Sequence, residues 1–171
     1  MKKLSQALLQ NLKNLETLTV AYCEQLEEII GGGVGDEEEG IEGSSNTLPK
    51  LKLLRLEFLP ELKSICNGRE MICPSIERII ISHCKNIKRM PSIFPIDDAT
   101  RQPYLPSSFE RIDFNGDEKE WWESLEFHNP NAKHFLESHI KWLWRSLMLF
   151  VNVTLYLVFI EFSSHHKFYL L

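Results

Sequence analysis

Four stretches of this chain carry apolar residues at one repeated spacing, and this repetition constrains the fold more than any other feature. Counted from the first apolar residue, a complete copy is apolar at positions one, four, six, nine, twelve and fifteen. The complete copies are Leu15, Leu18, Val20, Cys23, Leu26 and Ile29; Leu51, Leu54, Leu56, Leu59, Leu62 and Ile65; and Ile76, Ile79, Ile81, Cys84, Ile87 and Met90; a partial copy is Phe109, Ile112 and Phe114. Residues two apart share one face of a strand, whereas residues three apart suit a turn that points inward.

This ladder is the signature of leucine-rich repeats. One unit cannot bury its apolar row alone, but stacked neighbours share a continuous core. The sequence therefore predicts an α/β solenoid: a short leucine-rich repeat array of about four units with an irregular convex side, a helical C-terminal cap and an apolar helical tail. Ordinary amphipathic helices or sandwich strands are the alternative, which three aligned copies of six positions disfavour.

The apolar pattern divides the chain into two predicted parts. Residues 1–137 form the repeat fragment with its C-terminal cap, and residues 138–171 form a hydrophobic tail. Asn129 before Pro130 is a favourable helix start in the cap. Trp121 and Trp122 are expected to cover the open end of the array with large apolar surfaces.

The tail contains a stretch, residues 146–160, without any charged residue. A helix over 143–160 is flanked by Trp142 and Trp144, which suit a membrane interface. The uncharged stretch alone falls short of the roughly 30 Å hydrocarbon core as a helix, and including residues 142–145 nearly reaches that length. A membrane segment at 143–160 and a tail that folds onto the cap both remain open.

Two further segments interrupt or precede the ladder. Residues 31–46 combine glycine, serine and five acidic residues, which indicates a surface insertion. The acidic run lacks the Gly-Lys-Ser/Thr of a phosphate-binding loop, so no nucleotide binding is predicted. Residues 1–14 resemble the return segment of an earlier repeat, which suggests a fragment of a longer protein.

Charge and composition exclude several function classes. The net charge is −5, with no concentrated basic face, so no nucleic-acid partner is expected. The four cysteines have no C-x-x-C pair and the six histidines no H-E-x-x-H motif. We therefore predict no metal site, no cofactor and no catalytic residue, and hence a protein that is not an enzyme.

Several motifs are similar to the carboxy-terminal repeats of plant disease resistance proteins that combine a coiled coil, a nucleotide-binding domain and leucine-rich repeats. The similar segments cover about residues 4–137: L-K-N-L-E-T-L-T-V-A-Y-C-E-Q-L-E-E-I-I at 12–30, L-P-K-L-K-L-L-R-L-E-F-L-P-E-L-K-S-I at 48–65, the unit at 76–90, and E-K-E-W-W-E-S-L-E-F-H-N-P-N-A-K at 118–133. The resemblance implies the sensing part of a cytoplasmic immune receptor, here without the motifs of its nucleotide-binding switch. The implied partner is a pathogen effector or a guarded host protein.

The outward positions of the predicted strands form columns across the array, and these are the candidate partner contacts. Exposed aromatic and arginine side chains in register suit protein recognition, although solvated neighbours on a sheet would give the same pattern. The candidates are Tyr22, Arg55, Glu57, Phe58, Arg78, His83 and Arg111. The alternative functions are a membrane-anchored leucine-rich repeat adaptor or a non-functional gene fragment.

Overall fold

The computed structural model describes residues 3–4, 13–30, 47–66, 70–127, 129–143, 157–162 and 167–170. Its strands are β1 (Lys3–Leu4), β2 (Leu15–Ala21), β3 (Glu28–Ile30), β4 (Leu53–Glu57), β5 (Ser64–Cys66), β6 (Arg78–Ser82), β7 (Arg89–Met90), β8 (Arg111–Asn115), β9 (Glu126–Phe127), β10 (Ile140–Leu143), β11 (Leu157–Phe162) and β12 (Lys167–Leu170). A 3₁₀ turn (Gly116–Glu118) and two helices, α1 (Lys119–Ser124) and α2 (Pro130–Glu137), lie between β8 and β10.

The main sheet has seven strands in the order β10-β8-β6-β4-β2-β11-β12, and the first five of these are parallel to one another. The register follows the repeated ladder, because Leu54 of β4 lies opposite Leu18 of β2 and Ile79 of β6. One strand of each unit therefore stacks on the same strand of the next, as expected for a solenoid. The predicted α/β repeat array is confirmed at this level.

The ladder residues form the core between the units. All of them are buried except Cys23, which is half-buried and packs against the same cluster. Leu54, Ile79 and Ile112 have no exposed surface at all. Each fully buried side chain of this size contributes roughly 1.5–3 kcal/mol, so the shared core is the main source of stability.

The return side of the array is more regular than the sequence predicts. Short parallel strands form there, in a sheet of order β1-β3-β5 and a second pair β7-β9. Backbone hydrogen bonds join neighbouring units beside them, such as Lys63 N–H to the Glu27 carbonyl at 2.9 Å. The prediction of an irregular convex side missed these strands because each is only two or three residues long.

The region predicted as a cap contains both helices, but the sheet continues beyond it. Helix α2 begins where expected: Asn129 accepts a hydrogen bond from the Asn131 N–H at 2.9 Å, with Pro130 in the first turn. The chain then enters β10, which pairs in parallel with β8. The helices therefore lie on the path between the fourth and fifth parallel strands, and the parallel part of the main sheet has one strand more than the predicted four units.

The described part of the tail is not helical. Leu143 ends β10, and residues 157–160 belong to β11; residues 144–156 lie outside the described residues. Strand β11 pairs antiparallel with β2 at the far edge of the main sheet, where unpaired backbone groups are available. Its Leu-Val-Phe-Ile-Glu-Phe sequence favours a strand in such a place.

The prediction of a membrane-spanning helix at 143–160 finds no support in this structure. Across the described residues, no helix is both long and apolar enough to cross a bilayer.

Candidate protein-recognition surface

The outward residues of the main sheet lie in columns, and we call the surface they form the sheet face. Three neighbouring strands place Leu53, Arg78 and Arg111 opposite one another. Arg55 lies opposite Ile80 in the same way, and so these side chains project from one surface. The structure thus brings the predicted columns together as the sequence register required.

The columns differ in solvent exposure, so a partner could contact only part of the sheet face. Four outward residues are buried: Ala21, Ile80, Ser82 and Asp113. The candidate contacts Arg55, Glu57, Phe58, Arg78, His83 and Arg111 are half-buried, and Tyr22 is 49% exposed. The accessible part of the sheet face therefore lies along its arginine side chains and its aromatic end.

Three rings at the ends of β2, β4 and β6 stack on one another; we call them the ring ladder. Tyr22 and Phe58 have centroids 4.7 Å apart with planes at 10°, and Phe58 and His83 lie 4.3 Å apart at 11°. This offset stacking geometry holds the three planes parallel and limits their rotation. The predicted aromatic column is therefore a continuous, preformed apolar surface made of stacked rings.

The backbone under the ring ladder has an unusual conformation. Tyr22, Phe58 and His83 have φ values of 57°, 53° and 56°, in the left-handed region. A residue with a Cβ atom enters this region at a cost of roughly 1–2 kcal/mol, and bonds between units offset it. For example, the Phe58 N–H donates to the Ser82 carbonyl at 2.9 Å. The repeated turn is thus what orients each ring along the same edge.

Polar groups fix the third ring of the ladder. Nδ1 of His83 lies 2.7 Å from Ser82 Oγ and 3.1 Å from Asn115 Nδ2, and Asn115 Nδ2 donates to Ser82 Oγ at 2.7 Å. Because an amide nitrogen only donates, Nδ1 of His83 accepts from it. This network holds the imidazole flat against Phe58.

The buried carboxylate of Glu118 completes the turn beneath His83. It accepts hydrogen bonds from the backbone N–H groups of His83 at 2.5 Å and Asn115 at 3.0 Å. Burial raises the pKa of Glu118 above its ordinary value, and these two hydrogen bonds act in the opposite direction. Its role is therefore structural: it satisfies donors at the end of the ring ladder.

A pair of arginines shares one buried acid on the sheet face. Arg78 Nε donates to Asp113 Oδ2, and Arg111 Nε donates to Asp113 Oδ1 at 3.2 Å. Nearby, Arg55 lies 3.7 Å from Glu57. Both arginines are among the predicted contacts and Asp113 is not, although its register position beside Ile80 and two residues after Arg111 is a signal in the sequence.

The described residues contain no group of three or more histidine, cysteine, aspartate or glutamate side chains that could hold a metal ion. Burial raises the pKa of the Cys73 and Cys84 thiols to about 12. These two thiols stay protonated at neutral pH, so they serve as core residues and not as nucleophiles.

A stack of parallel strands over a repeated apolar ladder defines a leucine-rich repeat protein. The profile described as "Plant disease resistance protein RPS2-like, leucine-rich repeats" matches residues 1–101. The chain belongs to this family.

Curated relatives from Arabidopsis thaliana agree. Disease resistance protein At4g27190 is 28% identical over 121 residues, which are 71% of this chain and 10% of the relative. Probable disease resistance protein At4g27220 is 32% identical over 88 residues, 52% of this chain and 9% of the relative. Putative disease resistance protein At4g10780 is 30% identical over 130 residues, 73% and 14% respectively. The chain thus spans about a tenth of the length of these relatives, and no solved structure matches it.

Proposed function

We propose that this chain is a non-enzymatic recognition module whose sheet face binds a protein. The observation that carries the proposal is the ring ladder, because a rigid stack of planar side chains presents contact area with little entropy left to lose. Aromatic and arginine side chains dominate the binding energy of protein interfaces. Here Tyr22, Phe58 and His83 follow directly after β2, β4 and β6, and Arg55, Arg78 and Arg111 lie in β4, β6 and β8.

The family supports a proposal for the class of partner. Its members are named as disease resistance proteins, and the resemblance implies recognition of a pathogen effector or a guarded host protein in the cytoplasm. The proposed recognition needs no nucleotide, metal or other cofactor. It also needs no nucleic acid, since the sheet face mixes Arg55, Arg78 and Arg111 with Glu57 and Asp113 instead of forming a uniform basic surface.

The experiment compares two tyrosines of equal exposure. Tyr22 of the ring ladder is 49% exposed, and Tyr104, which lies in a loop away from the sheet, is 50% exposed. Proteins captured from pathogen-challenged plant extract by the wild-type chain are quantified against captures by Tyr22→Ala, Tyr104→Ala and the double variant Phe58→Ala, Arg78→Ala.

We expect the specific captured proteins to be lost with Tyr22→Ala and with the double variant, and to be retained with Tyr104→Ala. Truncation of a central contact commonly weakens binding by more than about 1 kcal/mol. If the sheet-face variants still capture these proteins but a variant with the acidic residues of 31–46 replaced does not, the binding site lies in that insertion. That result would contradict this proposal.

A further inference from the structure

The paired arginines on the sheet face point to the chemistry of the partner, provided that the proposed recognition function holds. Asp113 is fully buried, and each of its carboxylate oxygens accepts a hydrogen bond from a different arginine, Arg78 or Arg111. Both arginine side chains remain 33% exposed. A buried acid therefore fixes two guanidinium groups that still reach the solvent.

The cluster carries an excess of positive charge. One carboxylate neutralises one of the two guanidinium groups, and Lys141 of β10 lies opposite Asp113 in the next strand. Arg111 also lies 3.4 Å from Glu110, but Glu110 is 61% exposed, so water screens that contact strongly. Across the described residues, the Nη atoms of Arg78 make no hydrogen bond, so their donors remain available.

A carboxylate fits this cluster better than a phosphate does. Planar guanidinium groups pair with carboxylates through two parallel hydrogen bonds, and a group already held in place loses less freedom on binding. Phosphate sites in proteins commonly add converging backbone N–H groups from a nest or a helix N-terminus. The backbone N–H groups of β6 and β8 are instead engaged in the sheet pairing of this face.

The ring ladder sets the distance to a second contact. Asp113 holds both guanidinium groups, and it lies opposite Ile80 of β6. Ile80 lies three residues before His83, which corresponds to about 10 Å of extended chain. A partner segment that also runs extended would bridge the two contacts with about three residues. Its acidic residue would meet the arginines, and its apolar or aromatic residue would meet the rings.

We propose that Arg78 and Arg111, held by the buried Asp113, form a subsite for an acidic side chain of an extended segment of the partner protein, about three residues from an apolar side chain that packs on the ring ladder.

The test is a selection of random twelve-residue peptides on the full chain, followed by affinity measurements on the strongest binders. Among the selected sequences, we expect aspartate or glutamate to be enriched about three residues from an aromatic or large apolar residue. Changing that acid to its amide should weaken binding to the wild type about tenfold or more. The same peptide change should have little effect on Arg78→Gln, because the coupling partner is already absent.

Two controls separate folding from recognition. Lys63→Gln removes a more exposed cation that pairs with Glu27 beside β5 and away from the sheet face, and it should leave the selection unchanged. The acid-to-amide change in the peptide needs no protein variant, so it still tests the acidic subsite if Arg78→Gln folds poorly.

The outcomes also separate this subsite from the broader proposal. Peptides that lose binding with Phe58→Ala but show no acidic preference leave the recognition face standing and overturn the subsite. Peptides insensitive to both Phe58→Ala and Arg78→Gln, or the selection of none, overturn both. Tighter binding of a single-stranded oligonucleotide that is lost with Arg78→Gln would assign a nucleic acid instead and overturn the carboxylate subsite.

Discussion

The side chain of Glu118 replaces a backbone carbonyl beneath His83. Its Oε1 accepts the His83 N–H at 2.5 Å, whereas one unit earlier the Phe58 N–H donates to the carbonyl of Ser82 at 2.9 Å. The chain leaves the repeat path after Asn115 to enter the 3₁₀ turn, and so a side chain takes over the acceptor role. This substitution lets the third ring keep the geometry of the first two where the repeat itself changes.

Replacing Glu118 tests this role directly. Glu118→Gln offers one carbonyl oxygen to two N–H donors, and its NH₂ group faces a donor. We expect a loss of roughly 1–3 kcal/mol in the free energy of unfolding, measured by urea denaturation followed by circular dichroism. Glu120→Gln, an exposed glutamate in α1, is the matched control and should change stability little.

The pH dependence of the same variant has a definite sign. Because burial raises the pKa of Glu118 above its ordinary value, the folded protein binds this proton more tightly than the unfolded chain. The stability that Glu118 contributes is therefore greatest below the unfolded-state pKa and declines as pH rises through the folded-state pKa. The wild type should exceed Glu118→Gln in stability by more at about pH 4 than at about pH 7. A difference that grows with pH would contradict this account.

Burial of the ladder predicts the effect of a charge in the core. Ile79 has no exposed surface, while Ile96 is 42% exposed. Ile79→Asp places an unpaired charge between units and should destabilise the chain by more than about 3 kcal/mol. Ile96→Asp should cost far less. Near-wild-type thermal stability of Ile79→Asp would contradict the repeat register, which places Ile79 in the core.

Trp121 joins the cap region to the third unit by a hydrogen bond and to β8 by a ring contact. Its Nε1 donates to the Ile87 carbonyl at 2.9 Å, and its ring lies 5.7 Å from Phe114 in an edge-on arrangement. Trp121→Phe removes the donor but keeps most of the aromatic volume, and it should cost about 1–3 kcal/mol. Trp121→Ala opens a larger cavity and should cost roughly 3–5 kcal/mol. Equal stability of the two variants by chemical denaturation would deny the packing role.

The parts of the fold predicted from sequence are those fixed by a repeated spacing. Every ladder position comes from three or four copies, so the register of Leu18, Leu54 and Ile79 and the order of the ring ladder followed without any structure. The location of each candidate contact on the sheet face followed from the same register. What these residues bind stays a proposal, because the repeated spacing carries no information about a binding partner.

The parts that sequence reasoning missed lack such repetition. Strand β10 contains only four residues, and Ile140 and Trp142 are too few to display a ladder. The tail was expected to be helical because its composition is apolar, yet β11 pairs with an edge that becomes available only once the sheet has formed. The sequence does not single out Asp113, because its role is to hold the side chain of Arg78, which lies 35 positions away in the chain.

Strand β10 makes a prediction about truncation. A chain of residues 1–143 keeps β10, while a chain of residues 1–138 loses it and uncovers Ile112 and Phe114, which are buried at 0% and 1% exposure. Ile140 and Trp142 pack on this core, so we expect the shorter chain to be less stable by on the order of 3 kcal/mol. Circular dichroism in urea measures the difference. Equal midpoints for the two chains would show that β10 adds nothing to the array.

Pairing between β11 and β2 is the last prediction, and hydrogen exchange can test it. In the full chain β2 is paired on both sides, with β4 in parallel and with β11 in antiparallel register from Leu157–Ala21 to Phe162–Leu15. Truncation after residue 143 removes β11, so the β2 amides that face away from β4 should lose protection. An exposed edge strand can also pair with a strand of another molecule. The truncated chain should therefore form more oligomers than the full chain, as measured by analytical ultracentrifugation. Amides of β6, flanked by β4 and β8 in both chains, serve as the internal control. Unchanged protection throughout β2 would show that the tail does not occupy this edge in solution.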